Sequence, residues 1–220
     1  MTKTEVRQLL QERLGEAVAA EGFRARRSGF VRSIKEGHQS LSIALWDHAP
    51  QFEFTVSMGI RLDEVEALMH PFAGTEERFR GETLTSLTQL EFLGLTGRPG
   101  RGVLFGGDDE ANLHHAALAL AQVVTERVLP FFDNYVDLRA VEAGLNPPGA
   151  EDLRVPIRQN DRSRFDDSNE PYRAMHGIAT AYLMGRDCLP SLIDAYRGQL
   201  SVMVPEIRSR FEALTEFIKR

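Results

Sequence analysis

Apolar residues recur with two different periods along the first third of the chain. From residue 2 to residue 21 they have helical spacing, and Thr2 and Glu5 have the spacing of a capping box, so we expect a helix that stops at Gly22. From about residue 30 to residue 61 the period becomes two, which predicts three consecutive strands and therefore an antiparallel meander. The clearest alternation belongs to Phe52, Phe54, Val56, Met58 and Ile60.

Helical spacing returns at several places further along the chain. Asp63 can cap a short helix that Pro71 ends, and a longer helix begins at Asp108 or Asp109 and ends near Pro130. Residues 83–93 and 103–105 have the composition of further extended segments. The Asn-Pro-Pro-Gly sequence at residues 146–149 interrupts regular secondary structure and comes before an acidic and arginine-rich stretch. Two or three helices are expected after that stretch.

These elements predict an α+β protein. We expect an antiparallel meander sheet covered by the N-terminal helix and the long later helix, with an α-helical C-terminal extension. The expected domains are an α+β domain over residues 1–148, a charged linker or arm over 149–170, and the helical extension over 171–220.

The composition is that of an ordinary globular protein, with 42% hydrophobic and 26% charged residues. The single cysteine, Cys188, excludes an intrachain disulfide and a thiolate-rich metal site, so nothing indicates an oxidising compartment. No apolar run approaches the roughly 18 residues of a membrane helix, and the N-terminus lacks the apolar core of a signal peptide. We therefore expect a soluble, cytoplasmic protein with no membrane partner.

The sequence patterns do not favour catalysis or metal binding. His114 and His115 are adjacent, so on a helix they point about 100° apart and do not converge on one ion, which leaves only a two-ligand edge with Glu110. The glycines at 106 and 107 lack the spacing of a phosphate-binding loop. No serine lies in a GxSxG motif, and Asp187 opposes a thiolate at Cys188. We expect no catalytic residue, metal ligand or cofactor, and the interpretation leans away from an enzyme.

Two groups of residues are candidates for binding. The basic stretch 24–35 could meet an acidic protein surface, with a nucleic acid or a charge-protected sheet edge as alternatives; the net charge of −6 disfavours the nucleic acid. Its candidate residues are Arg24, Arg26, Arg27 and Arg32. The second group could line a pocket at strand ends and in the following loops, and consists of Trp46, His48, Arg61 and His70.

Four segments of the chain resemble a bacterial domain family of unknown function. They are EGFR at 21–24, GFVR at 29–32, LSIAL at 41–45 and FTVSMGI at 54–60, and members of that family begin with a helix and carry an FTVNLGI-like strand. Ser57 and Met58 stand where that pattern usually has Asn and Leu. The resemblance implies an α+β fold over the first two thirds of the chain, supplies no catalytic residue, and suggests immunity or accessory proteins.

The function that these observations favour is a non-catalytic protein-interaction module of the immunity or accessory type. Its partner would be another protein or a second copy of the chain, since the last helix carries an apolar stripe suited to a homodimer. The stripe consists of Ile207, Phe211, Leu214, Phe217 and Ile218. The alternative is a small-molecule-binding protein or hydrolase with a pocket near the strand ends.

Overall fold

The structure is a computed structural model. It describes residues 2–26, 29–48, 51–90, 103–106, 110–150, 170–200 and 204–219. Its internal contacts divide the chain into two compact units. Unit 1 comprises Met1–Gly59 and Thr88–Tyr135, and unit 2 comprises Ile60–Leu87 and Val136–Arg220. Each unit is therefore built from two separate stretches that alternate along the chain.

The sheet follows the chain order of its strands. These are β1 (Arg24–Arg26), β2 (Gly29–Ile34), β3 (Gly37–His48), β4 (Gln51–Leu62), β5 (Ser86–Gln89) and β6 (Val103–Gly106). The neighbours run β1-β2-β3-β4-β5, and β6 pairs antiparallel with residues 51–54 of β4. The predicted antiparallel meander is confirmed, and β1 extends it by an edge strand that the hydrophobic pattern did not predict.

One face of the sheet in unit 1 packs against helices. In β4 the even-numbered side chains from Phe52 to Met58 are buried, while Glu53 and Thr55 on the other face are half-buried. The helix α1 (Lys3–Ala19) contacts β3 and also the helix α3 (Glu110–Val123), which contacts β6. We call the opposite face, which carries Glu53 and Thr55, the open face.

The N-terminal helix has the predicted capping box. The Thr2 backbone N–H donates to Glu5 Oε2 (2.7 Å), and the Glu5 backbone N–H donates to Thr2 Oγ1 (3.3 Å). This reciprocal pair satisfies two backbone donors that a helix start leaves without partners. The side chains that α1 buries recur every four residues, which fixes its inner face: Val6, Leu10, Leu14 and Val18.

The predicted long helix continues beyond Pro130. A π-helical turn at Val124–Val128 follows α3, and α4 (Leu129–Asn134) carries Pro130 in its first turn. Pro130 removes one backbone N–H donor at this junction, and Phe132, which is fully buried in the turn that follows, stabilises the continuation. The prediction that this helix ends near Pro130 is wrong.

Unit 2 is mostly helical and is organised around α6. Its elements are α2 (Asp63–Ala73), a 3₁₀ helix (Glu77–Glu82), α5 (Leu138–Leu145), α6 (Glu170–Leu183), α7 (Leu189–Gln199) and α8 (Pro205–Ile218). α6 contacts α2, α5, α7 and α8, and residues 173–181 are all buried. A helix at the surface of a protein keeps one polar side in contact with water, and residues 173–181 of α6 have no such side. α6 is therefore the central helix of this unit.

The short helix α2 differs from its prediction at both ends. Asp63 is its first helical residue and not its cap, and the Asp63 carboxylate accepts a hydrogen bond from Arg61 Nε at 2.7 Å. Pro71 lies inside the last turn, and the helix ends where Gly74 adopts a left-handed conformation with φ of 69°. Burial of Val65 and Met69 stabilises the helix through the turn that Pro71 weakens.

The α+β class is confirmed, with its N-terminal helix and its C-terminal helices. The predicted domain boundaries stay a prediction, because residues 151–169 of the expected linker lie outside the described residues. The contacts group α2 with the C-terminal helices, whereas the prediction counts residues 63–73 in the first domain. Within the described ranges, no helix combines the length and the apolar character needed to cross a bilayer.

Candidate binding surface on the sheet

Strand register separates the basic residues of the sheet onto its two faces. Arg24 lies opposite Val31, and Val31 lies opposite Ser40 of β3. Directly opposed residues share a face, and the residue after Ser40 in β3, Leu41, is buried against the helices. Arg24 is therefore on the open face.

Arg26 is on the same face by the same register. It lies opposite Gly29, which lies opposite Ser42 of β3. Both arginines are exposed, and they lie on the edge strand of the sheet. Arg27 is outside the described residues.

Arg32 lies on the helix-covered face and has a structural role. Its Nε donates to Gln39 Oε1 (2.8 Å), its Nη2 donates to Asp133 Oδ1 (2.8 Å), and its guanidinium carbon is 5.0 Å from the centroid of the Phe23 ring. These contacts use the charge and the flat shape of the guanidinium within unit 1. Gln39 in turn donates to the carbonyl oxygens of Phe132 (2.7 Å) and Tyr135 (3.0 Å), at the end of α4.

A shallow pocket opens on the open face where β3, β4 and β5 lie side by side. It has a volume of about 400 Å³ and is lined by Trp46, His48, Glu53, Thr55 and Gln89. Trp46 is 45% exposed, although tryptophan is usually well buried in folded proteins. The pocket therefore combines a large accessible aromatic ring with polar groups from three strands.

The polar groups of this pocket suit binding better than proton transfer. His48 Nε2 lies 3.1 Å from Glu53 Oε2, but the His48 side chain is 53% exposed, so water screens the pair. Thr55 and Gln89 add a hydroxyl and an amide, which donate and accept hydrogen bonds. An indole beside such groups can hold an amphipathic side chain of a partner.

The other two residues predicted for the pocket, Arg61 and His70, belong to unit 2. Arg61 Nη1 donates to the carbonyl oxygens of Arg80 (2.8 Å) and Thr83 (2.9 Å), and His70 Nε2 lies 3.2 Å from Thr83 Oγ1. These bonds fix the chain that follows the 3₁₀ helix. The structure thus brings Trp46 together with His48, and Arg61 together with His70.

A buried acid–histidine pair in unit 2 was not predicted. Glu66 Oε1 accepts a hydrogen bond from Thr85 Oγ1 (2.8 Å) and lies 3.1 Å from His176 Nε2. Burial raises the pKa of Glu66, but His176, through its hydrogen bond and its charge, and the hydroxyls of Thr83 and Thr85 lower it further, from 4.5 to about 2. Glu66 is 2% exposed, so the pair stabilises the contact between α2 and α6 and does not meet a ligand from solution.

The remaining candidates from the sequence do not form a site. Among the residues that the structure describes, no group of three histidine, cysteine or acidic side chains could hold a metal ion. His115 is exposed on α3, and the side chain of Glu110 and residues 107–109 lie outside the description. Cys188 comes directly before α7, and its side chain makes no capping hydrogen bond to that helix.

Comparison with protein-family models, with curated proteins and with solved structures gave no match. The resemblance to the bacterial domain family therefore stays a prediction.

Proposed function

We propose that this protein is a cytoplasmic, non-catalytic binding module that recognises an acidic protein partner through the open face of its sheet. The observation that carries the proposal is an exposed Trp46 on the same face as Arg24 and Arg26. Tryptophan and arginine are the residue types most enriched among those that dominate the binding energy of protein interfaces. An indole that is half accessible before binding can be fully covered by a partner.

The spacing of these residues fits one interface. Arg26 is aligned with Ser42, two strands away, and Trp46 follows four residues later on β3. With about 4.8 Å between strands and about 3.3 Å per residue along a strand, the backbones of Arg26 and Trp46 are about 16 Å apart. A standard interface of about 800 Å² on each partner spans more than this distance.

The charges on the open face favour an acidic protein surface over a nucleic acid. A duplex presents a continuous row of phosphates, whereas this face offers two arginines and then the carboxylate of Glu53 beside Trp46. The whole chain carries a net charge of −6, which repels a polyanion beyond the contact. A partner with a few carboxylates opposite β1 and an apolar side chain opposite Trp46 satisfies both parts of the surface.

Selection from a random peptide display library tests the proposal without a known partner. The wild-type protein is the target, and peptides are measured afterwards against Trp46→Ala, Arg26→Glu and the control Arg7→Glu, whose arginine is exposed on α1. We expect peptides rich in Asp and Glu with an apolar residue, weakened at least tenfold by either open-face variant and unchanged by the control. Because Trp46 is the only tryptophan, its fluorescence gives the affinity of the wild type, Arg26→Glu and Arg7→Glu directly, and isothermal titration calorimetry gives that of Trp46→Ala.

Several results would overturn the proposal. Selection of basic or neutral peptides, or equal binding to the wild type and Trp46→Ala, would exclude this surface or this partner chemistry. Tight binding of an oligonucleotide with a steep salt dependence would assign the arginines to a nucleic acid. A native mass spectrum of the wild type that shows a retained small molecule would assign the pocket to a metabolite. A wild-type dimer that becomes a monomer in Trp46→Ala would assign the pocket to self-association.

A further inference from the structure

Among the described residues of unit 2, two arginines are buried, and their surroundings differ. Arg61 is 8% exposed, and its guanidinium reaches a carboxylate at Asp63, two carbonyl oxygens and a hydroxyl. Arg173 is 2% exposed, and its Nε has no hydrogen-bond partner among the described residues. A buried N–H of a charged group without a partner destabilises the folded protein, because it loses its hydration and gains no hydrogen bond.

A second nitrogen without a partner lies one turn further along the same helix. His176 Nδ1 is buried without a hydrogen-bond partner in the described part of the chain, while the Nε2 of the same ring faces Glu66. Residues three apart on a helix are neighbours on its surface. Arg13 Nε is also buried without a partner, but Arg13 Nη1 is 3.0 Å from Glu16 Oε2, so its charge is balanced.

The position of Arg173 adds a preference for negative charge. It lies in the first turn of α6, where the backbone N–H groups, which Pro171 lacks, have no partner within the helix and the helix dipole is positive. Because long side chains on a helix lean back toward its N-terminus, we expect the guanidinium to lie toward those N–H groups. The acid that α6 meets on α2, Glu66, is already bonded to His176 and Thr85.

We propose that Arg173, with the first turn of α6 and His176 beside it, forms a buried site for a small oxyanion of the phosphate or carboxylate type. The bound anion accepts a hydrogen bond from Arg173 Nε and balances its charge, and it stabilises the helical packing of unit 2. The site is independent of the open face of the sheet, so each proposal can fail without the other.

The experiment measures the unfolding temperature, Tm, by calorimetry in sodium phosphate, acetate or chloride at constant ionic strength. The proteins are the wild type, Arg173→Met and the control Arg186→Met, whose arginine lies 3.4 Å from Glu142 in the same unit. For the wild type we expect a rise in Tm of about 5–10 °C once the bound anion reaches about 100-fold its Kd. The larger response, to phosphate or to acetate, identifies the anion class.

The control variant separates binding from the general stabilisation that phosphate gives to folded proteins. Arg186→Met should keep the excess response over chloride, and Arg173→Met should lose it. If Arg173→Met does not fold, equilibrium dialysis of labelled phosphate and acetate against the wild type and Arg173→Lys decides the question. Equal anion responses in the wild type and Arg173→Met, or no bound anion in dialysis, would show that water or another part of the chain satisfies Arg173.

Discussion

Replacement of Glu66 by glutamine should change how the stability of the protein depends on pH. The carboxylate of Glu66 is buried, accepts a hydrogen bond from Thr85 and lies 3.1 Å from His176 Nε2. Its pKa in the folded protein is about 2, compared with 4.5 for an ordinary glutamate. Because folding lowers this pKa, the stabilisation is complete above pH 4.5 and is lost as the pH falls toward 2.

The magnitude follows from the difference between the two pKa values. A difference of about 2.5 units, at about 1.36 kcal/mol per unit, gives about 3 kcal/mol of stabilisation at pH 6. The same relation leaves about 1 kcal/mol at pH 3. Glutamine keeps the shape and one acceptor of the side chain but does not titrate, so Glu66→Gln lacks this dependence.

Urea unfolding at pH 6, 4.5 and 3, followed by far-ultraviolet circular dichroism, measures the effect. The free energy of unfolding of the wild type minus that of Glu66→Gln should shrink by about 2 kcal/mol between pH 6 and pH 3. The control Glu216→Gln, whose carboxylate is 66% exposed beside Lys219, should show a nearly constant difference. A constant difference for Glu66→Gln as well would refute the assignment of this pair as an ionised, stabilising contact.

Two further substitutions test the packing of each unit. Gly177→Ala should lower the free energy of unfolding by about 1–2 kcal/mol, because a Cβ on Gly177 would lie 2.7 Å from Tyr196 Oη and 2.8 Å from Asn146 Oδ1. The control Gly198→Ala, where a Cβ meets nothing within 4 Å, should be neutral or stabilising in the same urea titration. If Gly177→Ala is also neutral, Gly177 does not lie as close to Tyr196 and Asn146 as described. Gln39→Leu should cost about 2–3 kcal/mol, since it leaves the carbonyl oxygens of Phe132 and Tyr135 without their donor. Gln8→Leu, which removes an exposed bond to Glu12, should cost little, and equal losses for the two leucine variants would show that Gln39 is not a structural donor.

Local signals in the sequence were sufficient for much of the fold. The alternation in β4 and the capping box at Thr2 depend on neighbours within a few residues, and both predictions are confirmed. The sequence predicts helix ends at Pro71 and Pro130, yet both helices continue, because buried residues such as Met69 and Phe132 stabilise the adjoining turns. A proline weakens a helix locally, and packing elsewhere in the unit can outweigh that loss.

The candidate sites were predictable only in part. Trp46 and His48 are close together because they lie two residues apart on one strand, and β4 and β5 bring Glu53, Thr55 and Gln89 beside them. Strand register, which the composition of the basic stretch does not reveal, divides Arg24 and Arg26 from Arg32. No local pattern joins Glu66 to His176, since their contact depends on the packing of α2 against α6.

The alternation of the two units along the chain has a consequence for synthesis on the ribosome. The inner side of α2, with Val65 and Met69, is covered by α6 and α8, which are made about 100 residues later. At about 5–20 residues per second, α2 leaves the ribosome about 5–20 s before those helices exist. The apolar side of α2 is therefore uncovered during this time. Codon changes that slow translation between residues 74 and 169 should lengthen the exposure and lower the yield of folded protein.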